Sequence, residues 1–311
     1  MSYVDLETEE ISKCPLCGSS AQLSSFHLSK VIPLSGFTIQ YRFRDGSSPR
    51  LITCNNCGLT YKNFYLDGDA EQAIYDLWLK YLGKRWRDSK ADAGVQEQLS
   101  TEILDYYKNI TGRSPSSIID VGAGEGGYLD YLTSYKRFSL DLNPASIERN
   151  GQRGIESILL DVCSDTWIPT QSFDLVTCFD VLEHLREPDI AIRNISKLLV
   201  PGGLFIAETG NVDSFIPKYY GPQNWWYVNI PEHKVFWRLQ TLQAALKKHG
   251  IDLVKVVAVT HKNKPVITLR NLRNLFLFVL DWQENKKKFR KIFLKDHFFI
   301  IGVKAHGNRD C

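Results

Sequence analysis

Ser117-Ile-Ile-Asp-Val-Gly-Ala-Gly-Glu-Gly-Gly127 is the stretch whose reading decides the fold of this chain. Ile118, Ile119 and Val121 are β-branched and apolar, the composition of a strand buried on both faces. The run then breaks into Gly122, Gly124, Gly126 and Gly127. Missing Cβ atoms permit positive φ and let a ligand lie against the backbone, so a strand, a tight turn and a helix from Tyr128 to Leu132 are expected, with unpaired N–H groups facing something small. Two spacings coexist here. Gly122, Gly124 and Gly126 form Gly-x-Gly-x-Gly, while Gly122, Gly124 and Gly127 form the dinucleotide pattern Gly-x-Gly-x-x-Gly. Asp120 tips the balance, because a carboxylate two places before the first glycine attracts a cationic amino group and repels a pyrophosphate.

Downstream, Arg137 to Asn143 reads as a second strand ending in acid at Asp141, 19 residues beyond Gly122. A carboxylate there suits both hydroxyls of a ribose, a device shared by nucleoside cofactors of several kinds; a solvated strand-end aspartate is the plain alternative. Pro144 opens a helix, Glu156 to Leu160 is a third strand closed by Asp161 and Val162, and Phe173 to Asp180 is a fourth. Val181-Leu-Glu-His-Leu185 is expected to begin a helix, and Leu199 to Glu208 turns into strand five. Leu253 to Val259 and Phe298 to Val303 supply the last two strands. Serial strand-helix units predict an α/β doubly wound sheet, whose ligands sit at the carboxyl ends of the strands, where Gly122, Asp141, Asp161 and Asp180 fall.

Asp120-Val-Gly-Ala-Gly-Glu-Gly126, followed by Phe173-Asp-Leu-Val176, Leu182-Glu-His184 and Leu199-Val-Pro-Gly-Gly203, resembles the class I (Rossmann-like) S-adenosylmethionine-dependent methyltransferases over residues 113 to 260. The resemblance implies a seven-stranded, mostly parallel sheet and S-adenosylmethionine as cofactor. It sets Asp120, Gly122, Gly124 and Gly126 around the cofactor loop, Asp141 and Leu142 at the ribose, Asp161 and Val162 at the adenine, and Asp180 at the end of strand four. Phe179-Asp-Val-Leu182 stands where amino-methylating nucleic-acid enzymes of this class carry Asp/Asn-Pro-Pro-Tyr/Phe, which argues against base N-methylation.

Of seven cysteines, four form two Cys-x-x-Cys pairs, Cys14/Cys17 and Cys54/Cys57, each followed by glycine. An odd total with paired knuckles points to a metal rather than to disulfides. Tyr41-Arg-Phe-Arg44 and Leu51-Ile-Thr53 between them alternate like short strands, so residues 1–66 resemble a zinc ribbon. Four thiolates fill a tetrahedral shell and leave no open position, which makes such a zinc structural. Cys178, in an apolar strand, reads as core. Residues 1–66 lack a dense Lys/Arg run, so nucleic acid is not the expected partner of the ribbon.

Residues 67–112 read as a helical connector or lid, with one helix from Asp69 to Lys84 and another from Val95 to Tyr107, and the methyltransferase domain then runs over 113–311. The formal charge of +3 conceals an asymmetry, since residues 261–311 carry 12 Lys and Arg against 4 Asp and Glu. An extra segment within 265–293, apolar and then basic at Lys286 to Lys291, could meet an anionic membrane surface or a phosphorylated substrate through 272–295, or be a solvated helix face. No leader is visible, and the longest apolar run, Leu275 to Leu280, is far short of the roughly 20 residues that span a bilayer, so a cytoplasmic protein is expected.

The chemistry centres on three residues. Methyl transfer is an in-line displacement in which positioning alone can supply about 7–11 kcal/mol. A hydroxyl acceptor must also lose a proton. His233 follows an aromatic stretch containing Tyr219, Tyr220, Trp225, Trp226 and Tyr227, read as substrate wall and lid with core packing as its alternative, and is the first choice of base. Glu232-His233 resembles the Glu-His pair of ribbon-bearing sugar C-methyltransferases, although Ile230 stands where those enzymes carry tyrosine. Glu183 and His184 are the other catalytic candidates. Asp180-x-x-Glu183-His184 with His233 also resembles the Glu-x-x-Glu-His magnesium site of ubiquinone-pathway O-methyltransferases and small-RNA 2′-O-methyltransferases, with Asp180 in place of the first glutamate. The expected function is O- or C-methylation of a small molecule: a sugar, polysaccharide precursor or specialised metabolite. An RNA 2′-O-methyltransferase and a nicotinamide oxidoreductase are the alternatives.

Overall fold

The computed structural model describes residues 2–33, 37–43, 47–74, 90–124, 126–165, 171–259 and 295–306. The insertion within 265–293 and the basic segment expected at a membrane or phosphate surface fall outside these residues, apart from Lys295.

The central sheet has seven strands. They are β8 (Ser117–Val121), β9 (Lys136–Asp141), β10 (Glu156–Leu159), β11 (Phe173–Phe179), β12 (Leu199–Gly210), β14 (Ile251–Val259) and β15 (His297–Lys304), in the order β10-β9-β8-β11-β12-β15-β14. Strands β8 to β12 pair in parallel, and β15 runs antiparallel to both β12 and β14. Alternation along each strand divides the core between the two faces. Ile119, Val121, Val176 and Phe205 face one way, with helices α4 (Pro188–Leu198) and α6 (Leu239–Lys248); Ile118, Leu175 and Leu204 face the other, with α2 (Lys90–Thr111). Helix α2, expected as a connector, is thus part of the outer layer of the sheet, through Ile103 and Tyr107.

Helix α4 shows how composition sets these elements. Pro188 at its first turn needs no N–H partner, and Asp189 and Lys197 carry charges that suit the helix dipole at each end. Ile192, Ile195 and Leu198 lie on the buried face, each contributing about 1.5–3 kcal/mol by leaving water.

Two expected helices are not formed. After the glycine turn there is only a 3₁₀ turn, Gly127–Tyr131, because β9 begins at Lys136 and leaves no length for a full helix. Leu182 to His184 form a turn, and α4 starts only at Pro188; the proline holds Glu187 out of the helical region at φ −123°, ψ 74°.

Residues 2–66 build two small sheets rather than one ribbon. The sheet that carries the cysteine knuckles orders β13 (Val235–Phe236), β6 (Thr60–Lys62), β5 (Arg50–Cys54) and β2 (Gln22–His27). The other orders β3 (Val31–Pro33), β4 (Phe37–Phe43), β1 (Ser2–Glu10) and β7 (Phe64–Leu66). Tyr41, expected in the ribbon, therefore belongs to this second sheet, packed with Phe64 and with Ala70 and Ile74 of α1, a helix over residues 68–74. Because β13 comes from the segment after His233, the ribbon sheet is completed by the methyltransferase domain, and Cys14, Ile52, Cys54 and Tyr61 share one core with Val121 and Leu242.

Candidate functional site

At the knuckles, Gly18 and Gly58 adopt φ of 69° and 77°, so that their N–H groups donate back to the carbonyls of Cys14 and Cys54 at 2.8 and 3.1 Å. These turns bring the four Sγ atoms within 4.8 Å of one another, and Cys14–Cys57 and Cys17–Cys54 each lie 3.6 Å apart. With a zinc-sulfur bond of about 2.3 Å, sulfurs at the corners of a tetrahedron sit roughly 3.8 Å apart, so the donor set fits zinc. Cys178, fully buried in β11, is core as expected.

The glycine turn closes over the end of β8. A Cβ on Gly122 would overlap the side chain of Val181, so glycine is required there by the approach of the next strand's turn. The N–H of Gly124 donates to Asp141 Oδ2 at 2.7 Å, and that of Asn143 to Oδ1 at 2.8 Å. Each oxygen keeps capacity for a further donor. A cavity of about 260 Å³ opens beside this carboxylate, lined among others by Gly122, Asp141, Leu142, Asp161, Val162 and His184. A cleft at the strand ends with a carboxylate at its rim and apolar walls from Leu140, Leu142 and Val162 fits the ribose and base of a nucleoside cofactor.

Asp120, Gly124, Gly126 and Asp180 do not line this cavity. Asp120 turns inward instead of toward a cationic ligand. Its carboxylate accepts from Thr177 Oγ1 at 2.7 Å, Tyr128 bonds to the same hydroxyl, and burial pushes its pKa up to about 7. Gly126, with φ of 62°, packs where a Cβ would come 2.7 Å from Asn150 Oδ1. Asp180 takes the left-handed conformation at φ 52°, which aspartate tolerates better than most residues, and so swings the chain from β11 into the 182–184 turn.

That turn delivers the catalytic candidates. Glu183 is wholly buried; its Oε2 accepts from Thr209 at 2.9 Å, while Oε1 has no hydrogen-bond partner among the described residues. Burial and the neighbouring Asp180 carboxylate push it up to about 8. His233 donates from Nδ1 to the carbonyl of Tyr227 at 3.0 Å, which leaves its Nε2 as the atom that can accept. Its ring meets that of His184 edge-on, with centroids 4.7 Å apart. Burial lowers both imidazoles, His184 to about 3, so both are neutral near pH 7. One donor atom from each of Glu183, His184 and His233 falls within 4.8 Å of the others; Asp180 is not in this group.

The aromatic stretch divides. Trp225, Tyr227 and Trp237 are fully buried core, whereas Tyr219 and Tyr220 of α5 (Phe215–Tyr220) are exposed. Sequence reasoning missed three charged residues of the cavity lining, Glu71, Arg186 and Lys234. No local pattern announces them, since they arrive from three separate elements.

The fold and this cleft define a class I S-adenosylmethionine-dependent methyltransferase. The profile of the family described as "Methyltransferase domain" matches residues 92–256, more than half of the chain, and the chain belongs to that family. The nicotinamide alternative is thereby set aside. Among curated proteins, the chain is similar to a ubiquinone biosynthesis O-methyltransferase of Xanthomonas oryzae pv. oryzae, at 31% identity over 141 residues, covering 42% of this chain and 58% of the relative. It is also similar to the enzyme of the same name from Hahella chejuensis, at 25% identity over 197 residues, covering 58% of this chain and 81% of the relative. The chain therefore spans less than two thirds of the first of these relatives. Among solved structures it resembles a chain of the complex between the Haloferax volcanii Trm112 methyltransferase activator and a methyltransferase, with a TM-score of 0.51 at 14% identity, over 75% of this chain and 98% of that one. That likeness concerns the fold. Among the described residues no helix is long and apolar enough to cross a membrane.

Proposed function

We propose that this methyltransferase acts on a hydroxyl of a small molecule such as a sugar, a polysaccharide precursor or a specialised metabolite. The observation that carries the reading is the convergence of Glu183, His184 and His233 beside the cofactor cavity, whose lining His184 shares. The two curated relatives described above are named as O-methyltransferases of ubiquinone biosynthesis, which supports oxygen as the accepting atom.

S-adenosylmethionine, when bound, supplies an electrophilic methyl group on a sulfonium. In this reading Asp141 and Val162 hold and orient the nucleoside. That methyl group would pass to the acceptor oxygen with the carbon–sulfur electron pair leaving on sulfur, and His233 Nε2 would take the hydroxyl proton. The Tyr227 carbonyl, by holding Nδ1–H, favours the tautomer this step requires.

A second reading is favoured by Glu183 Oε1, a buried acceptor without a partner among the described residues. Glu183, His184 and His233 would hold a divalent cation, which would stabilise an acceptor oxyanion. Two imidazoles and one carboxylate suit manganese, iron or zinc better than magnesium, which favours oxygen ligands. We also assign a structural zinc to Cys14, Cys17, Cys54 and Cys57. Incubation with labelled S-adenosylmethionine and fractionated metabolites tests the function: label in a small-molecule ether supports it, and label only in RNA would replace it with the RNA reading.

A further inference from the structure

Three charged side chains stand in the lining of the cofactor cavity without a role in the nucleoside site. Lys234 is only 7% exposed, and its ammonium pairs with Glu71 Oε1 at 2.5 Å. It also lies 5.9 Å from the centre of the Tyr65 ring. Arg186 reaches the same carboxylate at 3.3 Å, donates to the carbonyl of Leu66, and lies 5.5 Å from the Tyr65 ring centre. One glutamate therefore faces two cations inside a cleft, of which Arg186 pairs in addition with Glu9 Oε2 at 3.2 Å. An ammonium has three donors, and among the described residues Glu71 is the polar partner of Lys234. Taking such a group out of water is costly unless its hydrogen bonds are satisfied.

The backbone of Lys234 fixes it relative to the chemistry. Its N–H donates to the Glu183 carbonyl at 2.8 Å and its carbonyl accepts from Lys62 N–H at 3.0 Å, so its main chain is tied to both the catalytic turn and the ribbon sheet. His184 lines the cavity with it and feels its charge. Glu71, in contrast, belongs to α1, whose Ala70 and Ile74 pack on the second N-terminal sheet.

We propose that Lys234, with Arg186, anchors an oxyanion of the methyl acceptor, a phosphate or a carboxylate, and that Glu71 occupies this position until the acceptor displaces it. The proposal rests on the small-molecule methyltransferase reading and narrows its substrate to anionic acceptors. It makes Lys234 a specificity-determining residue: neutral molecules of similar size would leave the ammonium with Glu71 and lie unanchored beside His184.

The test uses protein saturated with S-adenosylhomocysteine and calorimetric titration of inorganic pyrophosphate in one arm and succinate in the other. Wild-type protein is expected to bind one of them, which names the source of the oxyanion. Lys234→Met should weaken that binding by about ten- to a hundredfold, the worth of a charge-assisted hydrogen bond. Glu71→Gln, which takes the carboxylate away from Lys234 while Arg186 keeps Glu9, should tighten it several-fold and keeps the proposal testable if the lysine variant folds poorly. Absence of binding of both anions to wild type, or equal affinity in wild type and Lys234→Met, overturns the proposal. Loss of S-adenosylhomocysteine affinity in Lys234→Met would assign the ammonium to the cofactor's own carboxylate and also overturn it. Failure of wild-type protein to take up S-adenosylhomocysteine is a different result, and counts against the methyltransferase reading itself.

Discussion

Lys62, on the ribbon strand β6, donates from its buried ammonium to the carbonyl of Ile230 at 2.7 Å, three residues before His233. A second contact reaches the Pro231 carbonyl at 3.3 Å, and burial lowers the lysine to about 7. Together with the pairing of β6 to β13, this makes the ribbon a support for the loop that carries the candidate base. Lys62→Met should fold, since it removes a desolvated charge, but should leave the 230–231 carbonyls unheld. We expect turnover to fall about 10- to 100-fold with cofactor affinity unchanged, as for a small misplacement of a catalytic group. Steady-state kinetics with calorimetry on the same sample checks this, and unchanged turnover would remove the positioning role.

The zinc assignment makes a matching prediction. One zinc per chain should be found by elemental analysis, and Cys54→Ser should lower both zinc content and turnover. Structural zinc can contribute about 10–16 kcal/mol to a small module. Because Cys14 and Cys54 share a core with Val121 and Leu242, the loss should also broaden or lower the main thermal transition, whereas an independent ribbon would leave that transition alone.

Asp120 gives a pH dependence. Its folded pKa, pushed up to about 7 by burial, exceeds its unfolded value of 3.8, so the stability that its protonated form contributes is present below about pH 4 and lost as pH rises through 7. Relative to Asp120→Asn, wild-type protein should therefore lose on the order of 3–4 kcal/mol between pH 4 and pH 7. Urea denaturation of both proteins across this range reads the difference. A constant difference would mean that the carboxyl titrates normally.

Base and metal readings of the Glu183, His184 and His233 group part under mild chelation that spares the ribbon zinc. If His233 is the base, His233→Ala should lower kcat by about 10²–10⁴ and chelation should change nothing. If the group holds a divalent ion, chelation should abolish turnover, manganese should restore it better than magnesium, and Glu183→Ala should match His233→Ala. Normal turnover in both variants would contradict both readings.

Much of the sheet was legible because it is local: Ile118 to Gly127 encode strand and turn within a few residues, and Asp141 and Val162 each close a strand of recognisable pattern. The inward rotation of Asp120 was not, since it depends on Thr177 of another strand and on Tyr128. Nor was the turn at Leu182 to His184, where Pro188 rather than the apolar pattern decides the helix start. Trp225 and Tyr227 read as a lid because aromatic composition does not distinguish a wall from a core; their burial against Phe236 is a tertiary fact. Lys234 and Glu71 meet only because the N-terminal sheets dock on the cleft.

The most direct measurement is calorimetric titration of S-adenosylhomocysteine into wild-type protein and Asp141→Ala. A single site in wild type, weakened at least about tenfold in the variant, is predicted from the charge-assisted hydrogen bonds the carboxylate would make to the ribose. Equal affinity in the two proteins, or no binding to wild type, would contradict a nucleoside site at Gly122 and Asp141.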